Sequence, residues 1–270
     1  MADPATTSQD LFRLDGRVAI VTGAGKGIGA ATCRALAAAG ADVALVARTA
    51  SDLAQVAADV EALGRRALVY PADANDLDRF PELVDLVVDT LGGLDIVVNN
   101  AGGSRSYPVL DTRVEHLESS FHFNISAPFD LSRLAVPHLL ERPGSSIVNI
   151  SSMAGHNAPR GALVHGTTKA ALSQMTRLMA ADLAPRIRVN AVLPGAVETA
   201  SLNAWLDSMP DGVRTTMVQR TAMRRNGAPE DIAMAVIYQA SPAASWVTGK
   251  LLEVDGSANP ELFPKPIDDL

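Results

Sequence analysis

The chain has 270 residues, 47 % of them hydrophobic and 20 % charged, with a formal net charge of −7. That is enough for one large domain with a full core, and an acidic balance without any Lys/Arg run argues against nucleic acid or an acidic membrane surface as partner. The single cysteine, Cys33, excludes an intrachain disulfide and a thiolate metal site.

Residues 1–15 are polar, end in an Asp15-Gly16 turn and read as a flexible arm, without the basic and apolar regions of a secretory signal. No apolar run approaches membrane-spanning length, so a cytoplasmic protein without a membrane partner is expected. One domain is expected over 16–257 and a short tail over 258–270. The run VAIVT at 18–22, apolar and β-branched, predicts a parallel strand covered on both faces. Gly23-Ala-Gly-Lys-Gly-Ile-Gly29 follows at once, then an Ala/Leu-rich helix over 30–39 stopped by Gly40. The pattern repeats down the chain. Strands are predicted over 42–47, 67–70, 95–99, 146–150, 187–192 and 250–254. Helices are predicted over 51–63 (with Ser51 as N-cap), 77–91, 118–140, 163–183 and 229–240. Strand and helix alternate without a linker-like break. That predicts an α/β fold, a single Rossmann-type domain with a doubly wound parallel sheet of about seven strands. Ligands of such sheets bind beyond the carboxyl ends of the strands, so residues just after each strand are the candidates for a site.

The first of these candidates is the glycine-rich turn at 23–29, which lets a pyrophosphate approach backbone N–H groups and a positive helix end. Its spacing, Thr22-Gly23-x-x-x-Gly27-x-Gly29, departs from G-x-G-x-x-G. It resembles the T-G-x-x-x-G-x-G form of the short-chain dehydrogenase/reductase family. Asp73, Asn99-Asn100-Ala101-Gly102, Pro194-Gly195 with Thr199, and Trp246-Val-Thr-Gly with Val254-Asp-Gly256 resemble further family elements in the family's order, over residues 14–257. Ser257 stands where many relatives carry a second glycine. The resemblance implies a dinucleotide site built from Gly23, Lys26, Gly27, Ile28, Gly29, Arg48, Asp73, Asn100, Ala101, Gly102, Lys169, Pro194, Gly195, Val197 and Thr199. In it, Asp73 contacts the adenine and Thr199 helps hold the carboxamide. An NAD site wants an acid about 20 residues past the glycines, for the ribose 2′-OH. Here Arg48 ends the second strand and Lys26 lies inside the glycine loop, which suits a 2′-phosphate and leaves no carboxylate to repel it. NADP(H) is the expected cofactor, with NAD(H) admissible.

Family members move a hydride between nicotinamide C4 and a carbonyl or alcohol carbon, using Asn, Ser, Tyr and Lys. The resemblance assigns three of these to Asn124, Ser152 and Lys169. It implies that Ser152 meets the substrate oxygen, Lys169 binds the ribose and tunes the acid/base, and Asn124 holds a water. Position 165, thirteen residues after Ser152 and four before Lys169, is His rather than Tyr. An imidazole titrates near pH ~6.5 against ~10 for a phenol. A lysine four residues on and burial both disfavour the imidazolium, so a neutral ring is expected at pH 7. A neutral ring suits alcohol oxidation, where it accepts a proton, and is a poor acid for carbonyl reduction. Its tip stops roughly 2 Å short of a phenol oxygen, a gap one water can bridge. Four readings of His165 stay open at this level. It is a replacement that disables redox turnover but spares cofactor binding, a working acid/base, a sign of non-redox proton transfer, or a bystander to another residue such as Tyr107.

The remaining histidines, 116, 122, 138 and 156, share no metal-ligand spacing, and no metal is expected. Residues 200–227, with Trp205, Met209, Met217 and Met223, read as a lid. Pocket walls are expected over 103–110 and 153–163, where Tyr107, Met153, Ala158 and Leu163 suggest an uncharged, mostly apolar substrate. The function expected is NADP(H)-dependent interconversion of a ketone and a secondary alcohol. The alternative is a cofactor-binding relative impaired in redox or recruited to non-redox acid/base chemistry through His165. The resemblance also implies a homo-oligomer, tetramer or dimer, paired through the helices at 118–140 and 163–183.

Overall fold

The computed structural model describes residues 7–207 and 209–258. Seven parallel strands form one sheet in the order 3-2-1-4-5-6-7: β1 (Val18–Thr22), β2 (Asp42–Ala47), β3 (Ala67–Pro71), β4 (Ile96–Asn99), β5 (Ser146–Ile150), β6 (Arg188–Pro194) and β7 (Leu251–Val254). The chain first winds outward from β1 to the β3 edge, then crosses back to β4 beside β1 and winds the other way. That reversal opens a crevice at the carboxyl ends of β1 and β4, where ligands of doubly wound sheets bind.

The β1 strand is buried along its whole length, so its side chains divide between two cores by the two-residue period of a strand. Ala19 and Val21 point to one face, which α1 (Gly27–Ala39), α2 (Ala50–Ala62) and α9 (Pro229–Ala240) cover with Leu36, Leu53, Ile232 and Val236. Val18 and Ile20 point to the other, covered by Phe80, Leu83 and Val87 of α3 (Phe80–Leu91) and Leu131 and Leu139 of α5 (Ala127–Leu140). Each such aliphatic or phenyl side chain removed from water stabilises the fold by about 1.5–3 kcal/mol. At the opposite end of the sheet from the crevice, fully buried Asp95 ties the layers together. It accepts from Arg17 Nη1 at 2.7 Å, the Val18 N–H at 3.0 Å and Arg142 Nε at 3.1 Å.

The expected elements are present, with instructive shifts. The helix expected over 118–140 is three pieces: α4 (Val114–Phe121), a π-helical turn over His122–Ser126, and α5. Ser51 is not an N-cap; Thr49 precedes α2, and no side-chain cap bond is made there. The lid region contains α7 (Ala200–Asp207) and α8 (Val213–Arg220), which bury Leu206 and Met217 against Ala196, while Met223 stays exposed. Of the expected N-terminal arm, residues 7–15 are described, and Leu14 is buried in the core. The expected tail, apart from Ala258, lies outside the described residues. Among the described residues no helix is long and apolar enough to cross a membrane.

Candidate active site

The glycine loop is packed too tightly for any other residue at two of its positions. Gly23 has φ +66°, and a Cβ there would lie 2.8 Å from Asn100 Nδ2; on Gly29 it would lie 2.1 Å from the Gly23 carbonyl oxygen. The Asn100 side chain is spent on this loop: Nδ2 donates to the Thr22 and Gly23 carbonyls at 2.9 and 3.2 Å. Thr22 Oγ1 returns the tie by accepting the N–H groups of Asn100 and Ala101 at 3.1 and 3.0 Å. The ends of β1 and β4 are thus locked together beneath the crevice. One layer deeper, Asn99 Nδ2 donates to Asn149 Oδ1 at 2.8 Å and to Ser132 Oγ at 2.9 Å, joining β4, β5 and α5.

Two contiguous hollows run along the crevice. One, of about 430 Å³, is lined by Gly23, Lys26, Arg48, Thr49, Asp52, Asp73, Asn100, Ala101 and Gly102. The other, of about 300 Å³, is lined by Gly27, Ile28, Gly102, Ser152, His165, Lys169, Pro194, Gly195 and Thr199. The structure therefore brings the sequence-predicted cofactor residues together. Gly29 acts by close packing, and Val197 lines a neighbouring cavity. The fit to a dinucleotide is physical. A Cβ on Gly102, where the hollows meet, would lie 2.8 Å from Lys169 Nζ and 2.9 Å from Asn124 Oδ1. A side chain at 102 would displace Lys169 and Asn124, so the bare backbone keeps them in place beside the hollows. The expectation that no carboxylate stands beside Lys26 and Arg48 is corrected: Asp52, in the first turn of α2, lines the same hollow, with Oδ2 3.1 Å from Lys26 Nζ.

The reacting end is built by α6 (Leu163–Leu183) laid against the short turn Met153–Gly155. Ser152 caps that turn, its Oγ accepting the Ala154 N–H at 3.1 Å. Lys169 is buried, and its Nζ donates to the Ile150 carbonyl at 2.8 Å. Burial lowers its pKa to about 8, so it stays largely cationic at neutral pH. His165 lines both the second hollow and the adjoining cavity. Its pKa falls to about 4, first through burial and then through the Lys169 cation. The ring is neutral at pH 7, as expected, though the larger cause is burial rather than the lysine. Nδ1 is buried with no hydrogen-bond partner among the described residues, which leaves Nε2 as the nitrogen to meet a substrate.

The π-helical turn carries Asn124 inward to full burial. Its Oδ1 accepts the Gly103 N–H at 2.9 Å, and its Nδ2 donates to the carbonyls of Gly103 at 3.0 Å and Ser120 at 2.9 Å. Asn124 thus holds the loop after β4. Ser104 and Ser120 hydrogen-bond each other on that loop's flank, a pair the sequence motifs do not mark.

Beyond His165 opens a cavity of about 410 Å³, lined by Ser104, Ser106, Ala154, Pro159, Arg160, Ala162, Ala196, Leu202 and Trp205 among others. Most of its wall is apolar, and α7 closes one side. None of the four side chains expected to line it does so. Tyr107 stacks on His116 at 4.1 Å in a separate outer pocket, Met153 packs against Ala191 and Leu193, and Ala158 and Leu163 face outward. Of the four only Leu163 lies on α6; the others sit on loops or a short turn whose paths no periodicity encodes. Arg160 places one cation on the wall.

Comparison with known proteins agrees with this geometry. The family model described as enoyl-(acyl carrier protein) reductase matches residues 23–259. An uncharacterized oxidoreductase of Mycobacterium tuberculosis is 46 % identical over 262 residues, covering 97 % of this chain and 99 % of that protein. The 7α-hydroxysteroid dehydrogenase of Escherichia coli K12 is 37 % identical over 256 residues, covering 94 % and 99 %. A solved 7α-hydroxysteroid dehydrogenase, complexed with NADH and 7-oxo glycochenodeoxycholic acid, superposes with a TM-score of 0.90 at 36 % identity, covering 95 % of this chain and all of that one. This chain belongs to the short-chain dehydrogenase/reductase family and is an oxidoreductase of that type, built to bind a nicotinamide cofactor.

Proposed function

We propose that the protein interconverts a secondary alcohol and a ketone on a mostly apolar skeleton, with NADP(H) preferred, and that His165 is its proton-transfer group. The observation that carries this reading is the position of His165 on the wall shared by the cofactor crevice and the apolar cavity. A nicotinamide cofactor, when bound, supplies the hydride acceptor or donor. The chain's own groups do the rest. Ser152 Oγ, with one lone pair occupied by the Ala154 N–H, turns its O–H toward a substrate oxygen. His165, neutral at pH 7, accepts the alcohol proton at Nε2 directly or through one water. Lys169, anchored on the Ile150 carbonyl, would hold the nicotinamide ribose of a bound cofactor, and its cation helps keep His165 unprotonated. At neutral pH a ring with a pKa of about 4 starts unprotonated, which is the state from which alcohol oxidation begins. Arg48 and Lys26 at the β2 end support the NADP(H) preference.

The test is turnover with NADP+ or NAD+ and a panel of secondary alcohols led by hydroxysteroids, comparing the native protein with His165→Tyr. Oxidation by the native protein, faster with NADP+, is the expected result. Turnover by the Tyr form alone would sink the proton-transfer role and favour a cofactor-binding protein with repurposed chemistry.

A further inference from the structure

The pocket at the end of β2 holds four charged side chains: Lys26, Arg48, Asp52 and Asp73. Asp73 is turned into its own loop, where Oδ1 accepts the Asn75 N–H at 2.9 Å and Asn75 Nδ2 at 3.0 Å. Asp52 instead faces the glycine loop. A Cβ on Gly25 would lie 3.1 Å from Asp52 Cβ, so helix and loop meet there. The Lys26–Asp52 pair is lopsided: the lysine side chain is 69 % exposed and the aspartate 26 %. Asp52 belongs to the first turn of α2, where a negative charge complements the helix dipole, and its charged partner is Lys26.

We propose that Asp52 is a specificity-determining residue, holding Lys26 in a pair that a cofactor 2′-phosphate must break and thereby setting how far NADP(H) is preferred over NAD(H). This deepens the cofactor reading above and rests on it. A phosphate brings roughly −1.5 to −2 charges. It must pull Lys26 away from Asp52 and then sit near the carboxylate left behind. A 2′-hydroxyl carries no charge to repel and can donate to that carboxylate. Both effects lower the preference for NADP(H), and Arg48 works against them. The preference is then a balance of Arg48 against Asp52 rather than a property of the two cations alone.

The test is calorimetric binding of NADP+ and of NAD+, separately and without substrate, to the native protein, Asp52→Asn, Lys26→Ala and the double variant. Asn is isosteric and tolerated in the first turn of a helix, and a thermal melt checks that α2 persists. Asp52→Asn is expected to tighten NADP+ by about fivefold, the scale of an exposed ion pair, and to leave NAD+ unchanged or weaker. Lys26→Ala is expected to cost less than about twofold in NADP+ affinity in the native background and clearly more in the Asp52→Asn background. A ratio of the two affinities that stays put, or both cofactors shifting together, overturns the proposal, as does a full loss from Lys26→Ala alone. Should the native protein bind NAD+ the more tightly, the NADP(H) reading fails, yet the movement of the ratio on Asp52→Asn still decides the role of Asp52.

Discussion

Gly166 lies so close to the Ala154 carbonyl that a Cβ on it would sit 2.7 Å from the oxygen. Gly155 meets α6 in the same way, 2.6 Å from the Ala170 nitrogen. These two contacts seat the start of α6 on the turn after β5, and so fix His165 relative to Ser152. A methyl group at 166 has to push helix and turn apart. Gly166→Ala is expected to destabilise the protein by about 1–3 kcal/mol, the usual cost of overpacking, and to lower turnover by more than its effect on cofactor binding. Denaturant unfolding and NADP+ titration measure the two separately. An alanine variant as stable and active as the native protein would show that the contact does not set the site.

Titration of His165 gives a stability signature. Its folded pKa of about 4 lies below the ordinary 6.5, so the unfolded chain takes up this proton first as pH falls. The neutral ring's full stability is present above pH 6.5 and is lost progressively down to pH 4. Between pH 7 and pH 5 this one group is expected to remove about 2 kcal/mol. His165→Gln, which cannot titrate, should lack that part of the decline, as chemical denaturation at the two pH values will show. Parallel declines in both proteins would mean the ring is not held neutral.

A third prediction concerns the far end of the sheet. Asp95 is fully buried and is shared by Arg17, Arg142 and the start of β1. Asp95→Asn leaves two part-buried guanidinium groups without their counter-charge, and breaking such a pair typically costs about 3–5 kcal/mol. The loss should appear in unfolding midpoints while cofactor affinity measured below the transition is unchanged.

What the sequence revealed followed from how local each signal was. The two-sided burial of β1 is written in VAIVT, and the phosphate turn in its glycines, because each depends on a few adjacent residues. Lys169 and His165 are marked by the family resemblance, and their four-residue spacing sets them on one face of α6. What escaped depends on partners distant in sequence. Asp52 meets Lys26 only when α2 starts at Ala50 and leans on Gly25. The π-helical turn that buries Asn124 is invisible in a sequence pattern that fits an unbroken helix. The cavity wall depended on the path of the 153–163 loop, which no periodicity encodes, so Ala162 and Pro159 line it where Leu163 and Ala158 were expected.

The final prediction is the rate that His165 itself allows. To act as a base, Nε2 must present its lone pair, which places the ring proton on Nδ1. That nitrogen is buried without an acceptor among the described residues. A buried, unpaired N–H is among the rarer features of folded proteins and costs about 1–3 kcal/mol. Either tautomer leaves Nδ1 unpaired among the described residues, and the one with its proton on Nε2 must move that proton to Nδ1 before Nε2 can act as a base. His165→Tyr removes this step and restores the reach of a phenol, so alcohol oxidation should rise by at least about tenfold, against the roughly 10²–10⁴-fold that a general base contributes in full. The pH profiles should also part. With its pKa of about 4, His165 leaves the native rate flat in its own titration above pH 6, whereas the Tyr form should climb through a distinctly higher pKa. Coincident profiles would remove His165 from the proton path and return the question to Ser152 and solvent.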